Sequence, residues 1–324
     1  REFMKIYRIL GVSFDYFLGE SEYLRESKDI VSRALQSGVA KKSEGAVIIE
    51  FDDMPPLVIQ KSDEATLYQT RDIAALEFRM KKFRPEKILY VVGSEQSLYF
   101  KQVFAAAEKL GIKHTGVHVP FGLVSLPEGK MSTRKGRVVF LEELIEKAIQ
   151  LAERIIEEKN PCLKRKKETA RMVGIGAIKY NDLSRDRIKD IRFDWNTMLS
   201  FDGNTGPYLQ YTHARASSIL RKSGVRSFAK FDASLLREEE EKLLLRKILL
   251  FGEVIKSSAR DYKPHYIAVY AYELATLFND FYESIPVLRS EEKTRITRLA
   301  LVESVRIVLR NALWLLGIDA PERM

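Results

Sequence analysis

Ile88-Leu89-Tyr90-Val91-Val92, then Gly93-Ser94-Glu95-Gln96, then the run from Ser97 to Leu110, then His114-Thr115-Gly116-Val117-His118-Val119: this stretch decides the fold. Its two ends are short apolar runs rich in β-branched residues, which suit strands. Between them Leu98, Phe104, Ala105 and Leu110 can face a core along a helix of about four turns, and Gly111 supplies the stop. Strand, helix, strand is a βαβ unit, the building block of a parallel sheet. Ligands bind such sheets at the carboxyl ends of the strands, which directs attention to Gly93–Gln96 and to Pro120–Val124.

Upstream, Val47–Phe51 and Leu57–Gln60 read as further strands, so residues 1–125 alternate strand and helix. After about residue 138 the period changes. Leu141, Leu144, Ile145, Ala148, Ile149, Ala152, Ile155 and Ile156 recur at helical spacing, with Glu142, Glu143 and Glu146 at the start, where the helix dipole favours them. Helices are expected at about 167–183, 208–222, 235–261, 264–284 and 290–316, broken near Gly203–Pro207, Ser223–Asp232, Pro264 and Ile285-Pro286. The fold class is therefore α/β plus all-α, a partial Rossmann-like parallel sheet followed by a helical bundle.

The 324 residues are 45% hydrophobic and 31% charged with 17 Gly and 10 Pro, an ordinary globular composition that excludes collagen and low-complexity disorder. The single cysteine, Cys162, excludes an internal disulfide framework and points to a reducing compartment. No apolar run approaches a bilayer span, and Arg1-Glu2-Phe3-Met4 lacks the apolar core of a signal peptide, so a cytoplasmic location is expected, with no membrane partner. The net charge is +9. Residues 1–159 carry 25 basic against 24 acidic residues, and residues 160–324 carry 29 against 21, so the second half is the side suited to a polyanion. Solvated helix faces also collect Lys and Arg.

Two local patterns fail their context tests. His114 and His118, four apart on a strand, stand about 13 Å from each other, too far to share an ion; they read as structural, and no bound structural metal is expected. Gly174-Ile175-Gly176 resembles the opening of a dinucleotide fingerprint, but position 179 is Lys and no strand precedes it. Close helix packing explains those glycines better.

Gly129-Lys130-Met131-Ser132-Thr133-Arg134-Lys135-Gly136 is different. Lys130, Arg134, Lys135 and Arg137 crowd a glycine-bounded loop directly after a strand end. Such a loop can offer charge to an anionic leaving group such as the pyrophosphate of ATP; an exposed basic hairpin tip has the same look. The loop resembles the second signature of class I aminoacyl-tRNA synthetases, Lys-Met-Ser-Lys-Ser, in the form that ends Ser-Thr-Arg in arginyl-tRNA synthetases. Phe14-Asp15 with Gly19-Glu20-Ser21, Tyr68-Gln69-Thr70-Arg71-Asp72-Ile73-Ala74, Tyr90-Val91-Val92 leading to Gln96, Gly203-Asn204-Thr205-Gly206-Pro207-Tyr208-Leu209-Gln210-Tyr211, and the segment from Leu315 to Met324 are similar to that family in the same order.

The resemblance implies ligation of arginine to its cognate tRNA through an arginyl-adenylate. It implies ATP as substrate with Mg2+ accompanying it, and tRNA(Arg) and arginine as partners. It assigns Lys130, Ser132 and Arg134 to catalysis, and Gly122, Val124, Lys130, Met131 and Ser132 to ATP. Tyr68, Asp72 and Gln96 fall to the arginine side chain. A buried carboxylate suits this role because a guanidinium presents a planar fork of donors. Read from the residues alone, Asp72 also suits a helix N-terminus (the helix is expected over 70–83), Tyr68 a core and Gln96 a loop. In the helical half the resemblance assigns Tyr208, Arg215, Tyr282 and Met324 to the anticodon loop; tyrosine stacks on unpaired bases and arginine binds phosphate. A core role for either tyrosine is equally open from the residues. The implied division is 1–137 for the catalytic part, 138–205 for a helical connector that meets the tRNA stem, and 206–324 for the anticodon-binding domain.

The family's first signature, His-x-Gly-His, has no counterpart: the chain's four histidines are His114, His118, His213 and His265, and no two are three apart. The sequence therefore reads as a fragment of a longer enzyme, inactive by itself and partnered by the missing N-terminal half; a natural truncated paralogue is the alternative. Ser62-Asp63-Glu64 also departs from the Ser-Asp-Gly common there, which puts that turn in question. A non-catalytic tRNA-binding module and a helical interaction domain are the competing function classes.

Overall fold

The structure is a computed structural model that describes residues 2–126, 129–130, 140–192, 194–225, 228 and 231–324. The chain falls into two compact units, one of residues 13–123 and one of residues 1–12 with 124–324. Helix α1 (Glu2–Leu10) opens the second of these.

In the unit of residues 13–123, a 3-10 turn (Glu20–Tyr23) leads into α2 (Leu24–Gln36). Strands β1 (Ala40–Ser43), β2 (Ala46–Ile49) and β3 (Leu57–Gln60) then form an antiparallel sheet in that order. Helix α3 (Tyr68–Phe83) follows, then β4 (Ile88–Gly93), a 3-10 turn (Ser94–Gln96), α4 (Ser97–Lys109) and β5 (Gly116–Phe121). β4 and β5 pair in parallel from Ile88↔Gly116 to Gly93↔Phe121, as the βαβ reading requires. The core joins Ile30 and Ala34 of α2, Ile49 and Ile59 of the sheet, Ile73 and Leu76 of α3, and Val103 and Ala106 of α4, all fully buried.

In the other unit β6 (Val124–Leu126) pairs antiparallel with β7 (Gly129–Lys130) and in parallel with β8 (Ile191–Arg192). The helices are α5 (Leu141–Lys159), α6 (Lys166–Leu183), α7 (Trp195–Met198), α8 (Gly206–Ser223), α9 (Glu239–Leu249), α10 (Phe251–Asp261), α11 (His265–Ser284) and α12 (Glu292–Leu315). Buried residues on α11 (Ile267, Tyr270, Ala271, Leu274, Ala275, Phe278, Phe281) and on α12 (Leu299, Val302, Val305, Leu309, Ala312, Leu313) recur every three or four positions and build the bundle core with Leu209 and Leu244. Among the described residues no helix is long and apolar enough to cross a membrane.

Several boundaries differ from the sequence reading. α3 starts at Tyr68 rather than residue 70, because Leu67 holds extended backbone immediately before it. The helix expected over 235–261 is two helices, α9 and α10, that meet at Leu250. Strand β1 was not anticipated.

The glycines at 174 and 176 serve packing. A Cβ on Gly174 would sit 2.8 Å from the backbone nitrogen of Ile149, so α5 and α6 touch there at main-chain distance. One on Gly206 would sit 2.8 Å from the carbonyl oxygen of Gly176, which brings α6 and α8 equally close.

Candidate functional site

Asp72 is the fifth residue of α3, past its first turn, so it does not cap the helix. Its Oδ2 instead accepts a hydrogen bond from the hydroxyl of Tyr99 on α4. Burial raises the Asp72 carboxyl above its ordinary pKa; the Tyr99 bond and the Arg79 charge oppose that rise, and Glu20 adds to it. Burial and the same bond push the Tyr99 hydroxyl up. Tyr99 lies in the first turn of α4, directly after the carboxyl end of β4, so the bond holds the carboxylate near that end of the parallel pair. This is where a sheet of this kind binds its ligand.

Tyr68 stands one helical turn before Asp72, on the same face of α3. It is 64% exposed, so it is no core residue, and the Arg71 guanidinium lies 5.6 Å from its ring centroid. Arg71 also meets Glu20 at 3.3 Å, which ties the Gly19-Glu20-Ser21 segment to the start of α3. Gln96 is exposed and ends the 3-10 turn after β4. Gly122 follows the end of β5, and Phe121 before it pairs with Gly93, so Gly122 and Gln96 leave the same end of the two strands.

In the other unit Val124 opens β6 and is exposed, and Lys130 ends β7, paired with Ser125. Met131, Ser132 and Arg134 lie outside the described residues. Among the described residues no group of three or more His, Cys, Asp or Glu could hold a metal ion. The ring Nε2 of His114 lies 3.3 Å from the Phe104 carbonyl and that of His118 3.2 Å from the Val92 carbonyl.

The helical unit gathers the remaining candidates. An open groove of ≈ 550 Å³ is lined by Lys164, Tyr211, Arg215, Tyr282, Arg323 and Met324, among others. The Arg215 guanidinium lies 4.5 Å from the centroid of the Tyr282 ring. Tyr208 does not line the groove: its ring is half-buried against the bundle core, 5.7 Å from that of Tyr272, and its hydroxyl accepts from Asn279 at 2.9 Å. Tyr282 too rests partly on the core.

The segment Gly203–Tyr211 is a joint. Thr205 caps α8 by accepting from the Tyr208 amide at 3.2 Å and donates to the Ser200 carbonyl at 2.6 Å. Gln210, fully buried, donates to the Met172 carbonyl at 3.1 Å and to the Asp319 carbonyl at 2.8 Å. That second bond is one of a series. Along residues 317–324 the carbonyls of Gly317, Asp319, Pro321, Glu322 and Met324 accept from Lys179, Gln210, His213, Arg221 and Asn160 in turn. Burial lowers the pKa of His213, and its Nδ1 must carry a proton because the Pro321 carbonyl it faces at 2.9 Å can only accept. Met324 thus reaches the groove on a strap held by its own main chain.

Residues 1–195 match the family model described as tRNA synthetases class I (R), catalytic domain, and residues 209–324 match the DALR anticodon binding domain. The chain belongs to the arginyl-tRNA synthetase family. Its fold is accordingly the class I synthetase catalytic fold followed by a helical anticodon-binding domain. It is 44% identical to the arginine–tRNA ligase of Halothermothrix orenii and 43% identical to that of Clostridioides difficile, covering all of this chain and 58% of each relative. The chain therefore spans somewhat over half the length of these arginyl-tRNA synthetases. The solved arginyl-tRNA synthetase of Thermus thermophilus superposes with a TM-score of 0.88 at 30% identity, over 99% of this chain and 62% of that one. That of Plasmodium falciparum gives 0.87 at 27%, over 100% and 56%. A methionyl-tRNA synthetase of Mycobacterium tuberculosis shares the fold alone, with a TM-score of 0.69 at 12% identity over 97% and 77%.

Two residues escaped the sequence reading. Tyr99 was legible only as a tyrosine three positions after Gln96, in the first turn of a helix that leaves a strand end. Asn279 was legible as a polar residue in an apolar helical run, three before Tyr282 and so on its face.

Proposed function

We propose that this chain carries the arginine-binding and anticodon-binding parts of an arginine–tRNA ligase, which couples arginine to tRNA(Arg) through an arginyl-adenylate. The observation that carries it is the half-buried Asp72 carboxylate, steadied by Tyr99 at the carboxyl end of a parallel strand pair. A guanidinium meets such a carboxylate with charge-assisted bonds. Tyr68 and Gln96 complete the arginine subsite. The division follows the three segments 1–137, 138–205 and 206–324, as catalytic part, connector and anticodon-binding domain.

In the reaction the arginine carboxylate attacks the α-phosphorus of ATP, forming a P–O bond as the bond to pyrophosphate breaks. The same reading gives Gly122, Val124 and Met131 to ATP, and gives Lys130, Ser132 and Arg134 the role of offering positive charge and a hydroxyl to the departing pyrophosphate. Magnesium enters with the ATP phosphates as part of the substrate. A terminal ribose hydroxyl of the tRNA then attacks the acyl carbon and AMP leaves. Positioning and charge stabilisation do most of the work. On this reading the chain acts in the cytoplasm, and Tyr208, Arg215, Tyr282 and Met324 read or support the anticodon loop.

The 324 residues hold no His-x-Gly-His signature. By themselves they are expected to show negligible arginine-dependent pyrophosphate exchange, with activity requiring a polypeptide that supplies that signature. The deciding experiment puts Asp72→Ala into the enzyme so completed. Exchange is expected to fall by at least about 10², while a gel shift with tRNA(Arg) stays unchanged. Exchange at the parent rate overturns the assignment.

A further inference from the structure

Asn279 is half-buried on α11 and bonds three residues of α8. Its Nδ2 donates to the Tyr208 hydroxyl at 2.9 Å and to the Thr212 hydroxyl at 3.3 Å, and its Oδ1 accepts from Nη1 of Arg215 at 3.2 Å. The amide can point only this way, because a guanidinium has donors and no acceptor. Arg215 is thereby gripped at one edge while its Cζ lies over the Tyr282 ring, 4.5 Å from the centroid. Its further neighbour, Glu283, is 3.9 Å away with a side chain 71% exposed, a contact weakened by water.

The geometry points to Asn279 as a positioning residue for RNA recognition: it holds Arg215 against Tyr282 in the wall of the groove and acts on the RNA through that guanidinium alone. The inference rests on the reading of the groove as a tRNA surface. An arginine free to rotate loses rotamer freedom when it binds, whereas one already clamped loses little. With one nitrogen bonded and one face on the ring, the rest of the fork remains for a phosphate or a base edge.

The test is a double-substitution cycle on the chain, read as affinity for a tRNA(Arg) transcript and for the same transcript with a swapped anticodon. Arg215→Ala is expected to weaken cognate binding roughly tenfold, and Asn279→Ala by a similar factor. The pair together should weaken it no further than Arg215→Ala alone, because both remove one guanidinium contact. A purely structural role for Asn279 gives losses that multiply, and that result overturns the inference. So does full cognate affinity in Asn279→Ala when Arg215→Ala is impaired. If Arg215→Ala itself binds as the parent does, the groove reading fails instead.

Asn279→Ala removes bonds between two helices, so thermal melting accompanies each measurement. Asn279→Asp is made beside it, since it keeps the shape and the acceptor for Arg215. It should retain cognate binding within about threefold; a loss equal to that of Asn279→Ala also overturns the inference.

Discussion

The Tyr99 hydroxyl on α4 donates to Oδ2 of Asp72 on α3, joining the two helices that flank β4 through a single carboxylate. The pKa of that phenol is itself pushed up, so Tyr99 stays a donor at physiological pH. A donor favours the ionised carboxylate, which is the form that attracts a cation.

Tyr99→Phe removes this donor. The Asp72 carboxyl, already raised by burial, then rises further. A guanidinium binds the ionised form, so affinity is full above the carboxyl pKa and is lost as pH falls through it. The acid limb of arginine binding should therefore move to higher pH, with KM for arginine up roughly tenfold near neutrality. A pH profile of KM in the completed enzyme checks this; an unmoved acid limb would separate Tyr99 from the site.

Gly174→Ala tests the contact between α5 and α6. The added methyl would lie 2.8 to 2.9 Å from Ile149 N, Ala148 C and Ile149 Cα, main-chain atoms that cannot swing aside. Alanine gains about 1 kcal/mol in helix propensity, but overpacking costs about 1–3 kcal/mol or more. Net destabilisation of about 1 kcal/mol or more is expected from urea unfolding. A rise in stability would mean that the helices separate readily.

Glu64→Gly has the opposite sign. Glu64 holds φ +64° in a turn closed by its amide to the Lys61 carbonyl at 3.0 Å and by the Ala65 amide to Asp63 Oδ1 at 3.1 Å. The family's usual glycine is thus replaced without loss of the left-handed geometry. Relief of about 1–2 kcal/mol of steric cost is offset by about 0.4–1 kcal/mol of glycine's chain entropy. A gain of about 0.5 kcal/mol should appear in the denaturation midpoint.

Arg298→Ala should be among the most damaging changes in the bundle. Its Nε meets Glu241 Oε1 at 2.7 Å, and the Glu241 side chain is wholly buried. Removing the partner leaves that buried carboxylate bonded to the Glu238 amide at 3.0 Å but without its countercharge, and is expected to cost about 3 kcal/mol or more. Pairing the change with Glu241→Leu should recover much of the loss, because no charge then stays buried. Chemical denaturation of both variants gives the comparison.

The β4–α4–β5 unit could be read from sequence because it carries β-branched runs, an apolar helical stretch and a terminal glycine, although the core face of α4 is not the one expected: Leu98 is 50% exposed, and Phe100, Val103, Ala106 and Ala107 are buried. The sequence Ala40-Lys41-Lys42-Ser43 carries none, and becomes strand β1 only because β2 offers it a ladder. The break at Leu250 is nearly as silent: Ile248-Leu249-Leu250-Phe251 is continuous apolar sequence, and the nearby Gly252 sits inside α10 rather than at the break. Among site residues, Asp72 and Arg215 stood out by chemistry and by family resemblance. Their partners Tyr99 and Asn279 did not, since those pairs are 27 and 64 positions apart and meet only when helices pack.

The strap at residues 317–324 is gripped by carbonyls, which every amino acid possesses. Its exposed positions, such as Asp319 and Glu322, should therefore tolerate exchange of identity. An added or deleted residue is another matter, because each donor would then face the wrong link of the chain. Drift in this segment is constrained by spacing more than by spelling, and Met324 is delivered by a ruler.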